Sequence, residues 1–190
     1  MKTKIENIFR ETAALHQELV EMAPEIQKML SAVIDRMRNG GTLYILGNGG
    51  SAADAQHIAG ELIGRFKKER KPIPAAALNT DSSVITAIAN DYGTDQIFAR
   101  QVRAYVDSGD VVLAISTSGN SPNILKALKI SGETGALNVG LSGKEGGDMA
   151  ALCKWCLCVP HTDTPRIQEA HQTLIHIICE FIEDKLSDYE

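Results

Sequence analysis

His57 and Glu61 stand four residues apart in a stretch of helical apolar spacing, so an imidazole and a carboxylate share one face. Either group can be tuned toward neutral pH to carry a proton, although a plain surface ion pair uses the same spacing. Far along the chain, Gln168, Glu169, His171 and His176 fall on a second helical stretch. Gln168 and His176 are about 12 Å apart at the helical rise, so their side chains only just converge on one atom between them. Together with His57 and Glu61 they would offer two nitrogen and two oxygen donors. His and Glu suit zinc; Gln is an unusual ligand.

Two Ser/Gly segments have a different chemistry. Ser116, Thr117, Ser118 and Ser121 supply hydroxyls around Gly119-Asn120, directly before a helix with Pro122 at its first position and Ser121 as candidate N-cap. Free amides and the positive end of a helix dipole suit a phosphate dianion. Gly47-Asn48-Gly49-Gly50-Ser51 lets the backbone approach a ligand closely. Turn formation alone would explain either loop. Two such loops, each between a strand and a helix, point to ligand binding. Neither is a nucleotide motif: no Gly-Lys-Ser/Thr ending is present, and Ala52 occupies the place of the third glycine in G-x-G-x-x-G.

The elements that must position these residues alternate. Apolar strands are expected at 42–46, 74–78, 110–116, 137–141 and 155–159. Helices are expected at 52–66, 84–90, 96–105, 122–132 and 166–186. This order implies an α/β fold with a parallel five-stranded sheet covered on both faces, whose ligands bind beyond the carboxyl ends of the strands. Residues 1–40 read as two helices broken near Pro24, a helical hairpin appended to an α/β core at 41–190 within one domain. Its wide apolar face suggests packing on a second copy.

Composition narrows the function. Of 190 residues, 44% are hydrophobic, enough for a packed core. Nineteen basic against 24 acidic residues argue against nucleic acid as partner. The basic run 65–71 reads as a solvated helix end. No apolar run is long enough to span a bilayer, and the first ten residues lack a signal-peptide core, so a cytoplasmic protein is expected. Cys153, Cys156, Cys158 and Cys179 read as reduced, packed thiols.

Taken together, the glycine loop, His57 and Glu61, Asn90-Asp91, the serine loop, and Arg166-Ile167-Gln168-Glu169 with His171 and His176 resemble the phosphoheptose isomerases. These form a branch of the SIS (sugar isomerase) family. The resemblance covers nearly the whole chain. It implies a flavodoxin-like sheet, a homotetramer, and active sites at subunit contacts. The implied activity is aldose–ketose isomerisation of D-sedoheptulose 7-phosphate to D-glycero-D-manno-heptose 7-phosphate. That reaction is a first step toward ADP- or GDP-activated heptose, as used in lipopolysaccharide. It also implies one zinc ion per subunit on His57, Glu61, Gln168 and His176. Sugar contacts would come from Asn48, Gly49, Gly50, Glu61, Asn90, Asp91, Ser116, Thr117, Ser118, Ser121 and Gln168. Glu61 and His176 are the expected proton carriers of an enediol route, working at the far end of a molecule whose phosphate the serine loop holds. Two other readings stay open. One is a non-catalytic SIS module that binds a replication initiator, a branch lacking acid/base residues at the positions of Glu61 and His176. The other is a related isomerase such as a phosphohexuloisomerase.

Overall fold

The computed structural model describes residues 1–187. In chain order the elements are α1 (Lys2–Leu19), α2 (Ala23–Arg38), β1 (Leu43–Gly47), α3 (Gly50–Ile63), β2 (Ala75–Ala77) and α4 (Ser82–Tyr92). There follow α5 (Ile97–Tyr105), β3 (Val111–Ser116), α6 (Pro122–Thr134), β4 (Leu137–Gly143), α7 (Gly147–Ala150), β5 (Trp155–Val159) and α8 (Thr164–Leu186). All five strands are parallel, in the order β2-β1-β3-β4-β5. This is the flavodoxin-like order, and its topological switch point lies between β1 and β3. The glycine loop leaves β1 and the serine loop leaves β3, so the fold sets both predicted ligand loops side by side at that point.

Period-two alternation builds two cores. Val111, Leu113 and Ile115 of β3 face α2, α3 and α8; Val112 and Ala114 face α5 and α6. On α3, Ala55, Ile58, Ala59 and Leu62 form the inward stripe at helical spacing. His57 and Glu61 stand beside that stripe, half-buried, toward α8.

At the N-terminus the structure differs from the expected hairpin. The break near Pro24 is present, but one 3-10 turn (Val20–Met22) joins α1 to α2. Leu19, Val20, Met22 and Ala23 all keep right-handed helical dihedrals. The chain therefore bends without reversing, because proline in a first helical turn costs no hydrogen bond. Each half lies against α8. Ile5, Ile8, Phe9 and Val20 remain exposed along the rod.

In the basic run 65–71, Arg65, Lys67, Lys68 and Lys71 are exposed as expected, but the Arg70 side chain is buried. Glu183, 1% exposed, accepts the backbone amides of Phe66 (3.0 Å), Lys67 (2.7 Å) and Lys68 (3.0 Å) and Arg70 Nε (3.1 Å). Arg70 in turn donates to the carbonyls of Leu62 (2.7 Å) and Glu61 (2.8 Å), capping the end of α3. Lys67 pairs with Glu180 at 2.8 Å and Lys68 with Asp184 at 2.8 Å, so acidic α8 pairs with part of the run. No helix among the described residues is long and apolar enough to cross a membrane.

The cysteines are free. Burial pushes the thiols of Cys153 and Cys179 each up to about 12, in keeping with inert packed side chains.

Burial pushes the Glu183 carboxyl up, but the three amides and Arg70 outweigh it and hold the group below its ordinary value of 4.5. Its contribution is present above that value and is lost as pH falls through the lowered folded-state value. Glu183→Gln leaves Arg70 buried and unpaired and should cost about 3–5 kcal/mol in denaturant unfolding at pH 7. The gap to wild type should narrow below about pH 4.5. A loss under 1 kcal/mol would show that the pair is dispensable.

Candidate active site

The serine loop is built from the end of β3. Ser116, 5% exposed, places its hydroxyl 3.3 Å from that of Ser121. Ser121 holds the N-cap position of α6, but its side chain makes no capping hydrogen bond and instead faces Ser116. The expected cap is thus a position without the capping bond, which leaves the hydroxyl available. Ser118 is exposed and Thr117 half-buried. Gly119, at φ +66°, donates its amide to the Ser116 carbonyl (3.0 Å), and its carbonyl accepts Met149 N–H (3.0 Å). A Cβ there would lie 1.9 Å from the Gly146 carbonyl oxygen. The segment after β4 thus supports the loop from behind. Beside it, a hollow of about 640 Å³ is lined by Ser118, Asn120, Lys144 and His161, among others.

The glycine loop opens α3. Gly49 takes φ +57°, and Asn48, Gly49 and Gly50 are exposed. Gln168, on the second turn of α8, lies against Gly50: a Cβ on that glycine would meet Gln168 Nε2 at 2.8 Å. Gly50, Asp54, Pro165, Gln168, Glu169 and Gln172 line an open depression of about 300 Å³. Asp54, 6% exposed, accepts a hydrogen bond from Gln172 Nε2. Burial pushes its carboxyl up; the nearby His57 and the Gln172 bond pull the other way.

The acid–base candidates form a second cluster. His57 Nε2 donates to Glu61 Oε1 (3.1 Å), and the His57 and His176 rings meet edge to face with centroids 5.1 Å apart. Phe66 covers His176 at 5.6 Å. Glu61 lies eleven residues beyond Gly50, about 16 Å along α3. Within one chain, then, Asn48, Gly49, Gly50, Gln168 and the four serine-loop hydroxyls gather at the sheet end. His57, Glu61 and His176 gather farther down α3 and α8.

The donor chemistry of His57, Glu61 and His176 fits zinc. Gln168 does not stand with them. Among the described residues, no three His, Cys, Asp or Glu side chains close to metal-binding separation. The helix expected to end at Asn90 runs through Tyr92, so Asn90 and Asp91 both sit in the last turn of α4. Among the described residues their side chains bond only to each other, at 2.8 Å. His171 is fully buried, with Nε2 donating to the Ser142 carbonyl (3.1 Å), and burial lowers its pKa; it is a core residue. Arg166 is spent on Glu169, 2.5 Å away.

Sequence reasoning missed Asp54, Gln172, Phe66 and Asn123. Asp54 lay open to detection, three residues before His57 on the same face. Asn123 carried no local signal; its partner is Asn48, on another loop.

A parallel sheet in this order is shared by several α/β classes; the SIS domain family model, which matches residues 8–143, makes this chain a SIS-domain protein. The chain is 54% identical over 166 residues to the phosphoheptose isomerase of Geobacter sp. strain M21, covering 87% of this chain and 86% of that one. It is 48% identical over 188 residues to that of Helicobacter hepaticus, covering 99% and 96%. Among solved structures, the phosphoheptose isomerase from Neisseria gonorrhoeae superposes with a TM-score of 0.90 at 40% identity, covering 96% of this chain and 98% of that one. That from Francisella tularensis gives 0.92 at 35%, covering 96% and 97%. The chain belongs to the phosphoheptose isomerase family.

Gly119→Ala combines a disfavoured dihedral with the Gly146 clash. It should weaken binding of inorganic phosphate at least tenfold by calorimetry, on the order of the strain of one such residue. Gly60→Ala, where a Cβ meets nothing within 4 Å, should leave binding unchanged.

Proposed function

We propose that this chain is an aldose–ketose isomerase that converts D-sedoheptulose 7-phosphate to D-glycero-D-manno-heptose 7-phosphate. The observation that carries the reading is the pairing of a hydroxyl-rich strand–helix loop with a His–Glu–His cluster on α3 and α8. Family membership supports the same substrate. Glu61 and His176 are both present and gathered with His57, which speaks against a non-catalytic module.

In this reading the serine loop and the start of α6 hold the phosphate dianion. Gly49, Gly50 and Gln168 contact the sugar chain, with Asn90 and Asp91 as further contacts. The Glu61 carboxylate takes the proton from C1 of the ketose and returns it to C2, while His176 moves the proton between the two oxygens. His57 holds Glu61 in orientation through its hydrogen bond. Zinc, when bound by His57, Glu61 and His176 with Gln168 as fourth donor, would polarise the carbonyl. Since Gln168 lies against Gly50, it suits a sugar hydroxyl better than that shell.

The separation of the two clusters favours a homo-oligomer, a tetramer in the family pattern, in which one subunit's loops face another's His57, Glu61 and His176. The exposed apolar rod of α1 and the groove between α2 and α8, lined by Ile26, Leu30, Ile34, Ile177 and Phe181, support such packing. A cytoplasmic setting and supply of a nucleotide-activated heptose complete the proposal.

Purified protein incubated with D-sedoheptulose 7-phosphate should yield the aldose. Glu61→Gln should lower kcat at least ~10²-fold, the usual contribution of a positioned proton carrier. Near-normal turnover in that variant would remove Glu61 from the role. Chelation should abolish turnover and zinc restore it; full activity in metal-free protein would remove zinc from the chemistry.

A further inference from the structure

The two ligand loops are joined by a single reciprocal contact. Asn48 Nδ2 donates to Asn123 Oδ1 at 2.9 Å, and Asn123 Nδ2 donates to Asn48 Oδ1 at 2.9 Å. Asn123 stands in the first turn of α6, two residues after Ser121. Its Oδ1 also accepts the Ile124 amide at 3.0 Å, a donor it shares with the Ser121 carbonyl at 3.0 Å. That second bond fixes which way the Asn123 amide points, and so which way it can hold Asn48. Among the described residues, this pair is the only side-chain hydrogen bond made by residues 47–50. Glycines at 47, 49 and 50 give the segment no other side chain with which to anchor itself, and Gly49 has open space where a Cβ would stand. The pair bridges β1 and β3 across the topological switch point, where the sugar phosphate would lie.

We infer that Asn123 is a positioning residue. It clasps Asn48 and thereby fixes the glycine loop at the distance from the serine loop that the sugar phosphate requires. Both polar ends of the Asn48 side chain are occupied by the clasp, so residues 48–50 meet the sugar chiefly through their backbone while it is closed. The inference rests on the reading of those residues as sugar contacts. It adds to that reading a residue on α6 that acts only through another side chain.

The test is a double-substitution cycle with a readout that does not need turnover. Asn123→Ala should raise KM for D-sedoheptulose 7-phosphate about five- to tenfold with kcat within about twofold, the scale of two neutral hydrogen bonds at partial exposure. Asn48→Ala should do the same, and the double variant should be no worse than the worse single variant, since both remove one interaction. If the two effects multiply, or if Asn123→Ala leaves KM unchanged, Asn123 does not act through Asn48. In ligand-free protein, nitrogen-15 NMR should show the Asn48 side-chain amide protected from hydrogen exchange, with protection lost in Asn123→Ala. Free exchange in wild type would overturn the clasp whatever the enzyme's activity. Wild-type protein that keeps the protection yet leaves the ketose unchanged would instead sink the proposed reaction and leave the clasp standing.

Discussion

One carboxylate with almost no water around it organises the working face of this molecule. Glu183 reaches across from α8 to three successive backbone amides and Arg70, and Arg70 reaches on to the last carbonyls of α3. A buried ion pair of this kind is not a large source of stability, because desolvation offsets most of the attraction. What it supplies is register. With Glu183 fixed, α8 lies parallel on α3: His176 falls beside His57, Gln172 beside Asp54, and Gln168 beside Gly50. The same carboxylate anchors the segment that carries Phe66 over His176. A slip of one helical turn would separate every one of these contacts.

Much of the architecture was legible from residue order. Apolar runs of strand length alternating with helical stripes gave five parallel strands, and Pro122 marked the start of α6, which runs two residues past its expected end at 132. The serine loop was legible as a candidate because a second glycine-rich loop stands at the equivalent strand–helix junction; alone it would read equally well as a turn and cap. Sequence could not reveal features that depend on partners far along the chain. Arg70 looked like one more solvated cation of a basic run, since its partner is 113 residues away. Asn123 looked like an ordinary first-turn residue for the same reason. Pro24 opens the second helix as its residue type suggests, but the sequence does not announce the one turn of 3-10 helix that makes the break a bend and not a hairpin.

The candidate site was legible as a set of residues and not as a place. Helical spacing correctly put His57 and Glu61 on one face, and α8 does bring His176 to them. Counting residues along α3 also shows how far Glu61 lies from the glycine loop, but only the packing of α8 reveals that Gln168 stays with the loop and His176 does not. The division into a Ser/Gly-loop end and a His–Glu–His end is a property of the tertiary register.

The rims of the sheet bear on how copies of this chain can meet. At one rim β2 is only three alanines long, entered directly from Pro74; at the other, Pro160 follows β5 at once. Proline has no amide to offer a neighbouring strand, and three residues are too few for a stable added ladder. Sheet extension from subunit to subunit is therefore disfavoured at the β2 rim, and Pro160 limits how far it could run past β5. Helical surfaces offer the larger apolar area for contact between copies, and there side chains rather than backbone decide which neighbour fits.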